Sequence, residues 1–161
     1  MATLTWKDNR LPATDIAPYD TTVMLVSAST PLTELVGDSV SWCKSKSSDD
    51  LNLMIYCHGS SGFLQLAKDG VTTRNVSKLA PLKPYISAVS IHACLVAKGQ
   101  VGRAFCIGLS NVLKAWVTAA IQLQYNTGIQ TINGWEDDKK YDGDYYIHKP
   151  SGEVSGPLRS R

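Results

Sequence analysis

An α/β domain on a mainly parallel sheet is what this sequence predicts, on three observations. Short β-branched or apolar runs alternate with stretches of helical periodicity, in the order strand, helix, strand, short helix, strand, helix, strand. Two of the runs, 51–57 and 86–93, are apolar over most of their length, as centre strands of a parallel sheet are. The interval between them holds one crossover, so they are predicted to be adjacent and parallel.

Each element has its own signal. Residues 1–20 carry Pro12 and Pro18 and little periodicity, and read as an arm. The β-branched run 22–27 reads as the first strand. Thr30 and Pro31 then suit an N-cap and a first helical position. Leu32, Leu35, Val36, Val40 and Cys43 follow at helical spacing and predict a helix over 31–45. After a polar loop comes the strand 51–57, which its apolar run suggests is covered on both faces.

Gly59 to Gly62 reads as a turn and 63–67 as a short strand. Pro81 and Pro84 limit any helix in 71–85 to one or two turns. The strand 86–93 follows. Val101, Phe105, Leu109, Val112, Leu113 and Trp116 keep helical spacing and predict a helix of about four turns. The alternation of Val117, Ala119, Ile121 and Leu123 predicts a fourth strand. The stretch 126–145 is rich in Gly, Asn and Asp, with an acidic patch at Glu136, Asp137 and Asp138 that reads as a solvated loop. Residues 145–148 and 153–154 flank Lys149-Pro150-Ser151-Gly152 as a late hairpin, and 155–161 reads as a frayed basic tail. With no internal repeat or linker, 1–161 is expected to be a single domain: arm 1–20, core 22–124, and C-terminal loop, hairpin and tail 126–161.

The totals narrow the function classes. A chain of 161 residues that is 43% hydrophobic and 19% charged can bury a proper core. Its net charge of +2 gives no strong pull toward nucleic acid or membrane surfaces, so neither is expected as a partner. There is no apolar run long enough to span a bilayer. The N-terminus lacks the basic and apolar regions of a signal peptide, so the expectation is a cytoplasmic protein, or one exported without a cleavable signal. The four cysteines (Cys43, Cys57, Cys94, Cys106) lie in apolar segments without CxxC spacing and read as thiols rather than disulfides. With His58, His92 and His148 they show no metal-ligand spacing, so no metal is expected.

The chemistry sits where the two apolar runs stop. The first ends in Cys57-His58-Gly59 and the second in His92-Ala93-Cys94. The carboxyl ends of parallel strands share one edge of an α/β sheet, where ligands bind. On adjacent strands His58 and Cys94 would sit side by side there. A thiol beside an imidazole is an activated nucleophile, because the imidazole takes or holds the thiol proton. Gly59 would let a substrate carbonyl approach its N–H, one donor of an oxyanion hole. Alone, a His-Gly pair is more often a surface histidine beside a turn glycine, and a lone cysteine more often a small core residue. The pairing of the two strand ends shifts that balance. Cys57 and Cys106 read as core, and His92 as a structural histidine that could edge the site. Ser60 is a second edge residue. The His-Gly-Ser-Ser-Gly stretch has no G-x-S-x-G elbow after it, which sets α/β-hydrolase chemistry aside.

An apolar strand then His58-Gly59, and an apolar strand then Ala93-Cys94, resembles the caspase-like (clan CD) cysteine peptidases. That group includes caspases, legumains, gingipains and separases. The run from His58 to Leu66 is similar to HG-x-x-G-x-L-x-L, and the run from Cys94 to Phe105 to C-x-V-A-x-G-x-x-G-x-x-F. Both look like the bacterial caspase-like and CHAT-like domains described as DUF4347. The resemblance covers roughly residues 22–124. It implies a three-layer α/β fold with a mainly parallel central sheet flanked by helices. It also implies a catalytic dyad of His58 and Cys94, with the N–H groups of Gly59 and Cys94 as oxyanion donors. The chain departs from such peptidases at His92, where an acidic residue or glutamine is frequent two positions before the cysteine. It is also short for the group, which leaves little room for specificity loops.

The expected function is therefore peptide-bond hydrolysis by Cys94 and His58, with a protein or peptide substrate and no cofactor. Two other readings use the same features. A non-catalytic interaction or effector module would bind a partner through the sheet edge. A thiol acyltransferase or hydrolase would use the dyad on a non-peptide acyl group.

Overall fold

A computed structural model of the chain describes residues 2–11, 21–121 and 144–159. Its main sheet has seven strands: β1 (Thr3–Asp8), β2 (Thr21–Val26), β3 (Leu51–Tyr56), β6 (Ile86–His92), β7 (Trp116–Ala120), β8 (Asp144–His148) and β9 (Val154–Arg159). Between β3 and β6 lie two short strands, β4 (His58–Ser60) and β5 (Phe63–Gln65), which form a separate antiparallel hairpin. The order across the main sheet is β2-β1-β3-β6-β7-β8-β9. The first five are parallel, and β8 and β9 add antiparallel strands at one edge.

β3 and β6 are adjacent and parallel, with Leu53 opposite Val89, Ile55 opposite Ile91 and Tyr56 opposite His92. Leu4, Leu53 and Val89 share one face, as do Trp6, Ile55 and Ile91, and all six are fully or almost fully buried. The helices α1 (Leu32–Ser45) and α2 (Gly99–Leu113) join the core through Leu35, Val36 and Cys43, and through Phe105, Cys106 and Leu109. A 3-10 helix, Val76–Leu82, touches both. The steps β2 to β3, β3 to β6 and β6 to β7 run the same way across the sheet. Right-handed crossovers therefore set these helices on one face. The Trp6 indole N–H, which donates to Ser39 Oγ on α1 at 2.9 Å, ties that layer to the sheet.

Several elements differ from the sequence reading. The expected arm contains β1, which sits inside the sheet between β2 and β3. The run at 21–26 is thus the second strand in the chain, and it lies at the sheet edge. Helix α1 starts at Leu32 with Pro31 as its cap, while the Thr30 hydroxyl bonds Ser27 instead. Helix α2 begins two residues before Val101 and stops at Leu113. Lys114 then turns with φ of 53°, and Trp116 opens β7. The expected turn at Gly59–Gly62 begins as β4 and pairs with β5, outside the main sheet. Strand β3 is fully buried on one face only, since Asn52 and Met54 are half-buried. The late hairpin forms, but its second strand runs on to Arg159 where a frayed tail was expected. The acidic patch at Glu136, Asp137 and Asp138, and the chain from 122 to 143, lie outside the described residues. Among the described residues no helix is long and apolar enough to cross a membrane.

Candidate active site

β3 and β6 finish level with each other at the pair Tyr56 and His92. His58 and Cys94 each stand two residues past that pair, at the carboxyl edge of the sheet. His58 is exposed and Cys94 half-buried, so a substrate could reach both. Cys57, between the strand end and His58, is buried as expected, and burial pushes its thiol well above the ordinary range. Cys106 is core on α2, pushed up to about 12 by burial. The four cysteines form no disulfide.

The loop that carries Cys94 is locked to the hairpin that carries His58, and glycines make the lock. A Cβ on Gly59 would come within 2.9 Å of both Ala93 Cβ and Val96 Cγ2 and 3.1 Å of the Cys94 carbonyl. Gly62, at the hairpin tip with φ of +67°, donates its N–H to the Val96 carbonyl at 3.0 Å. On the far side, a Cβ on Gly102 would be 2.5 Å from Val96 O and from the Ala97 carbonyl carbon. Gly59, Gly62 and Gly102 are thus close-approach positions that hold two catalytic candidates in one frame, while Gly99 is open to solvent and serves its turn with φ of +70°. Leu95, directly after Cys94, has φ of 60°, and its carbonyl accepts from Lys98 N at 2.9 Å. The turn lifts the chain off the sheet and into α2.

Gly59 sits opposite Leu64 in the hairpin. Leu64 spends both its N–H and its carbonyl on Val71, at 3.0 and 2.9 Å. The hydrogen-bonded pairs of the hairpin therefore fall at His58 with Gln65 and Ser60 with Phe63. That alternation points the Gly59 N–H away from β5, as an oxyanion donor at this edge would need.

The His58 ring meets the end of β1. Its Nε2 lies 3.1 Å from the Arg10 carbonyl. A carbonyl only accepts, so Nε2 carries the proton and Nδ1 is the basic nitrogen of the neutral ring. No sequence signal links Arg10 to His58, which stands 48 residues away. Ser60 is exposed beside His58. His92 lies beneath the edge and does not line it: it is fully buried and stacked on Tyr56, with centroids 4.6 Å apart. Burial lowers its pKa to about 4, which keeps it neutral. His148 is also buried, with its Nδ1 3.3 Å from the Val117 carbonyl, away from this edge. A cavity of about 320 Å³ begins three residues beyond Cys94, lined by Lys98, Gln100, Arg103, Ile121 and Tyr146 among others. Among the described residues, no three His, Cys, Asp or Glu side chains gather in a way that could hold a metal ion.

Comparison with known proteins fits this frame. Residues 13–138 match the family model described as "Domain of unknown function (DUF4347)". The chain belongs to this family. No curated protein matches it by sequence. Among solved structures it is similar to a secreted C11 cysteine protease from Bacteroides thetaiotaomicron, solved in complex with an irreversible peptide inhibitor. The TM-score is 0.51 at 8% identity, over 93% of this chain and 66% of the protease, so the chain spans just under two thirds of that protein's length. The mixed α/β sheet and its helices are thus a caspase-like fold.

Proposed function

We propose that the DUF4347 chain is a cysteine peptidase whose nucleophile is Cys94 and whose base is His58. The observation that carries this reading is the common edge. Two adjacent parallel strands end level with each other two residues before His58 and Cys94, and Gly59 packs directly against the Cys94 loop. The caspase-like fold, shared with a peptide-inhibited cysteine protease, adds to it as an analogy of fold.

In this mechanism His58 Nδ1 accepts the Cys94 thiol proton. The sulfur attacks the scissile carbonyl, and the carbonyl oxygen takes the negative charge. The N–H groups of Gly59 and Cys94 stabilise that oxyanion. His58 returns the proton to the leaving amine, and water, deprotonated by the same ring, releases the acyl group. Ser60 stands at the exposed rim, where the substrate chain would pass.

The test is labelling by a panel of peptides bearing a thiol-reactive electrophile, with the modified residue mapped by mass spectrometry. Cys94 should carry the label, and His58→Ala should slow it strongly. A protein that ignores every peptide electrophile and binds a protein partner unchanged after Cys94→Ala is an interaction module. Transfer of an acyl group to an acceptor other than water would make it an acyltransferase.

A further inference from the structure

The mechanism uses Arg10 only through its main-chain carbonyl. Its side chain does something more specific. Arg10 Nε donates to Asp8 Oδ1 and Nη2 to Asp8 Oδ2, both at 2.7 Å. The same Nη2 reaches the Ala67 carbonyl at 2.7 Å and the Gln65 carbonyl at 3.3 Å. Asp8 accepts two further bonds, from Arg10 N at 3.0 Å and Ala67 N at 3.1 Å. Asp8 is fully buried.

Gln65 is the hairpin partner of His58. Arg10 therefore holds the His58 pair from both sides. Its carbonyl receives the imidazole N–H, and its guanidinium grips the strand opposite. Asp8 is buried while the Arg10 side chain keeps 29% exposure, so the pair satisfies a buried carboxylate from the rim of the fold. A fully hydrogen-bonded network is well suited to fixing a geometry, because each member restricts the others.

We propose that Asp8 and Arg10 are positioning residues for His58. The bidentate pair fixes the chain between β1 and the hairpin, so that the Arg10 carbonyl holds the ring in its Nε2–H form with Nδ1 as base. This rests on the reading of His58 as the base for Cys94. A third group that orients the base completes such a constellation. Here that group is held in place by a side chain of its own residue.

The experiment compares the parent with Arg10→Lys and Asp8→Asn. Both variants keep the main-chain carbonyl at position 10, so any effect passes through the side-chain pair. Ser39→Ala is the control for plain destabilisation, because it removes a buried hydroxyl on α1 away from the site. Two quantities are read: the His58 tautomer, from long-range ¹⁵N–¹H spectra of the imidazole, and the kcat and KM for peptide cleavage. In the parent His58 should be a single Nε2–H tautomer. Arg10→Lys and Asp8→Asn should give a mixture and lower kcat by roughly tenfold to a hundredfold, a partial loss of a general-base effect of about 10²–10⁴-fold, at little changed KM. Ser39→Ala should lower the unfolding temperature and move neither.

If Asp8→Asn fails to fold, Arg10→Lys decides alone. A parent that cleaves, with tautomer and kcat unmoved in the folded variants, overturns the clamp and leaves the peptidase reading standing. A parent that cleaves nothing while its tautomer still shifts in the variants removes the peptidase reading and keeps the clamp. A silent parent with an unmoved tautomer removes both.

Discussion

Tyr56 and His92 are register partners on adjacent parallel strands, and their rings stack 4.6 Å apart and 8° from parallel. The stack sits two residues before His58 on one strand and two before Cys94 on the other. It sets the two strand ends level. Any slip of β3 against β6 would have to break it.

The buried His92 also predicts an acid sensitivity. Burial lowers its pKa to about 4, against an unperturbed value of 6.5. The unfolded chain therefore binds a proton that the folded chain refuses between those values. Stability is full above about pH 6.5 and falls as the pH drops toward 4, by on the order of 3 kcal/mol for this group. His148, also lowered by burial, acts in the same direction. His92→Phe keeps a ring against Tyr56 and cannot take the proton. Urea unfolding at a series of pH values from 7.5 to 4.5 should show a shallower decline in the variant. Equal slopes would mean that His92 is not what titrates.

The thiols should separate by reactivity. Burial raises Cys43, pushes Cys106 up to about 12 and raises Cys57 further still. Cys94 is half-buried at the sheet edge. In the folded protein, iodoacetamide followed by peptide mapping should find Cys94 modified first, by at least an order of magnitude in rate. Adding denaturant should bring the other three level with it. Modification of Cys57 or Cys106 at the same rate as Cys94 in the native protein would contradict the packing described.

Glycines of similar appearance should respond in opposite ways. A Cβ on Gly102 would lie 2.5 Å from backbone atoms of Val96 and Ala97, which no rotamer change relieves. Gly102→Ala should cost about 1–3 kcal/mol, the usual penalty for overpacking. Gly37, on the exposed face of α1, has nothing within 4 Å. There alanine should add up to about 1 kcal/mol through helix propensity. Thermal melts of the two variants should move to opposite sides of the parent, and a rise for Gly102→Ala would show that the loop gives way more easily than its contacts suggest.

These positions show what was legible in the sequence. β3 and β6 announce themselves because strands buried in the middle of a parallel sheet need nearly continuous apolar side chains. Their adjacency followed from the length between them. The motif glycines were visible, but as turn residues; only the folded chain shows that Gly59 and Gly102 press against the same loop from two sides. β1 was missed although Leu4 and Trp6 alternate with Thr3, Thr5 and Lys7. Its strand character comes from two neighbours far along the chain, β2 and β3, and six residues carry little local signal of that. The extension of β9 from Val154 to Arg159 was missed because Ser155, Gly156 and Pro157 are poor strand formers, and pairing with β8 resumes at Leu158 and Arg159 only across a break in register. The Asp8–Arg10 pair was unreadable for the same reason: its meaning lies in contacts to Gln65 and Ala67, 55 and 57 residues away from Arg10.

The lock between the hairpin and the Cys94 loop gives the last prediction. Cys94→Ala should abolish peptide cleavage and leave the unfolding temperature nearly unchanged, because a half-buried sulfur at a strand end contributes little packing. Gly59→Ala should act differently. Its new methyl would need room from Ala93, Val96 and the Cys94 carbonyl, all within 3.1 Å. The loop carrying the nucleophile must move by a few tenths of an ångström or more. A displacement approaching 1 Å at a reacting group lowers rates by about a hundredfold. Gly59→Ala should therefore lower kcat, slow the labelling of Cys94 by a peptide electrophile, and lower stability by about 1–3 kcal/mol. Gly152→Ala, where nothing lies within 4 Å but φ is +92°, serves as a strained glycine remote from the edge. It should lose stability and keep its labelling rate. Cleavage that persists at the parent rate in Gly59→Ala would mean that the hairpin does not set the position of Cys94, and the coupling between the two strand ends would have to be given up.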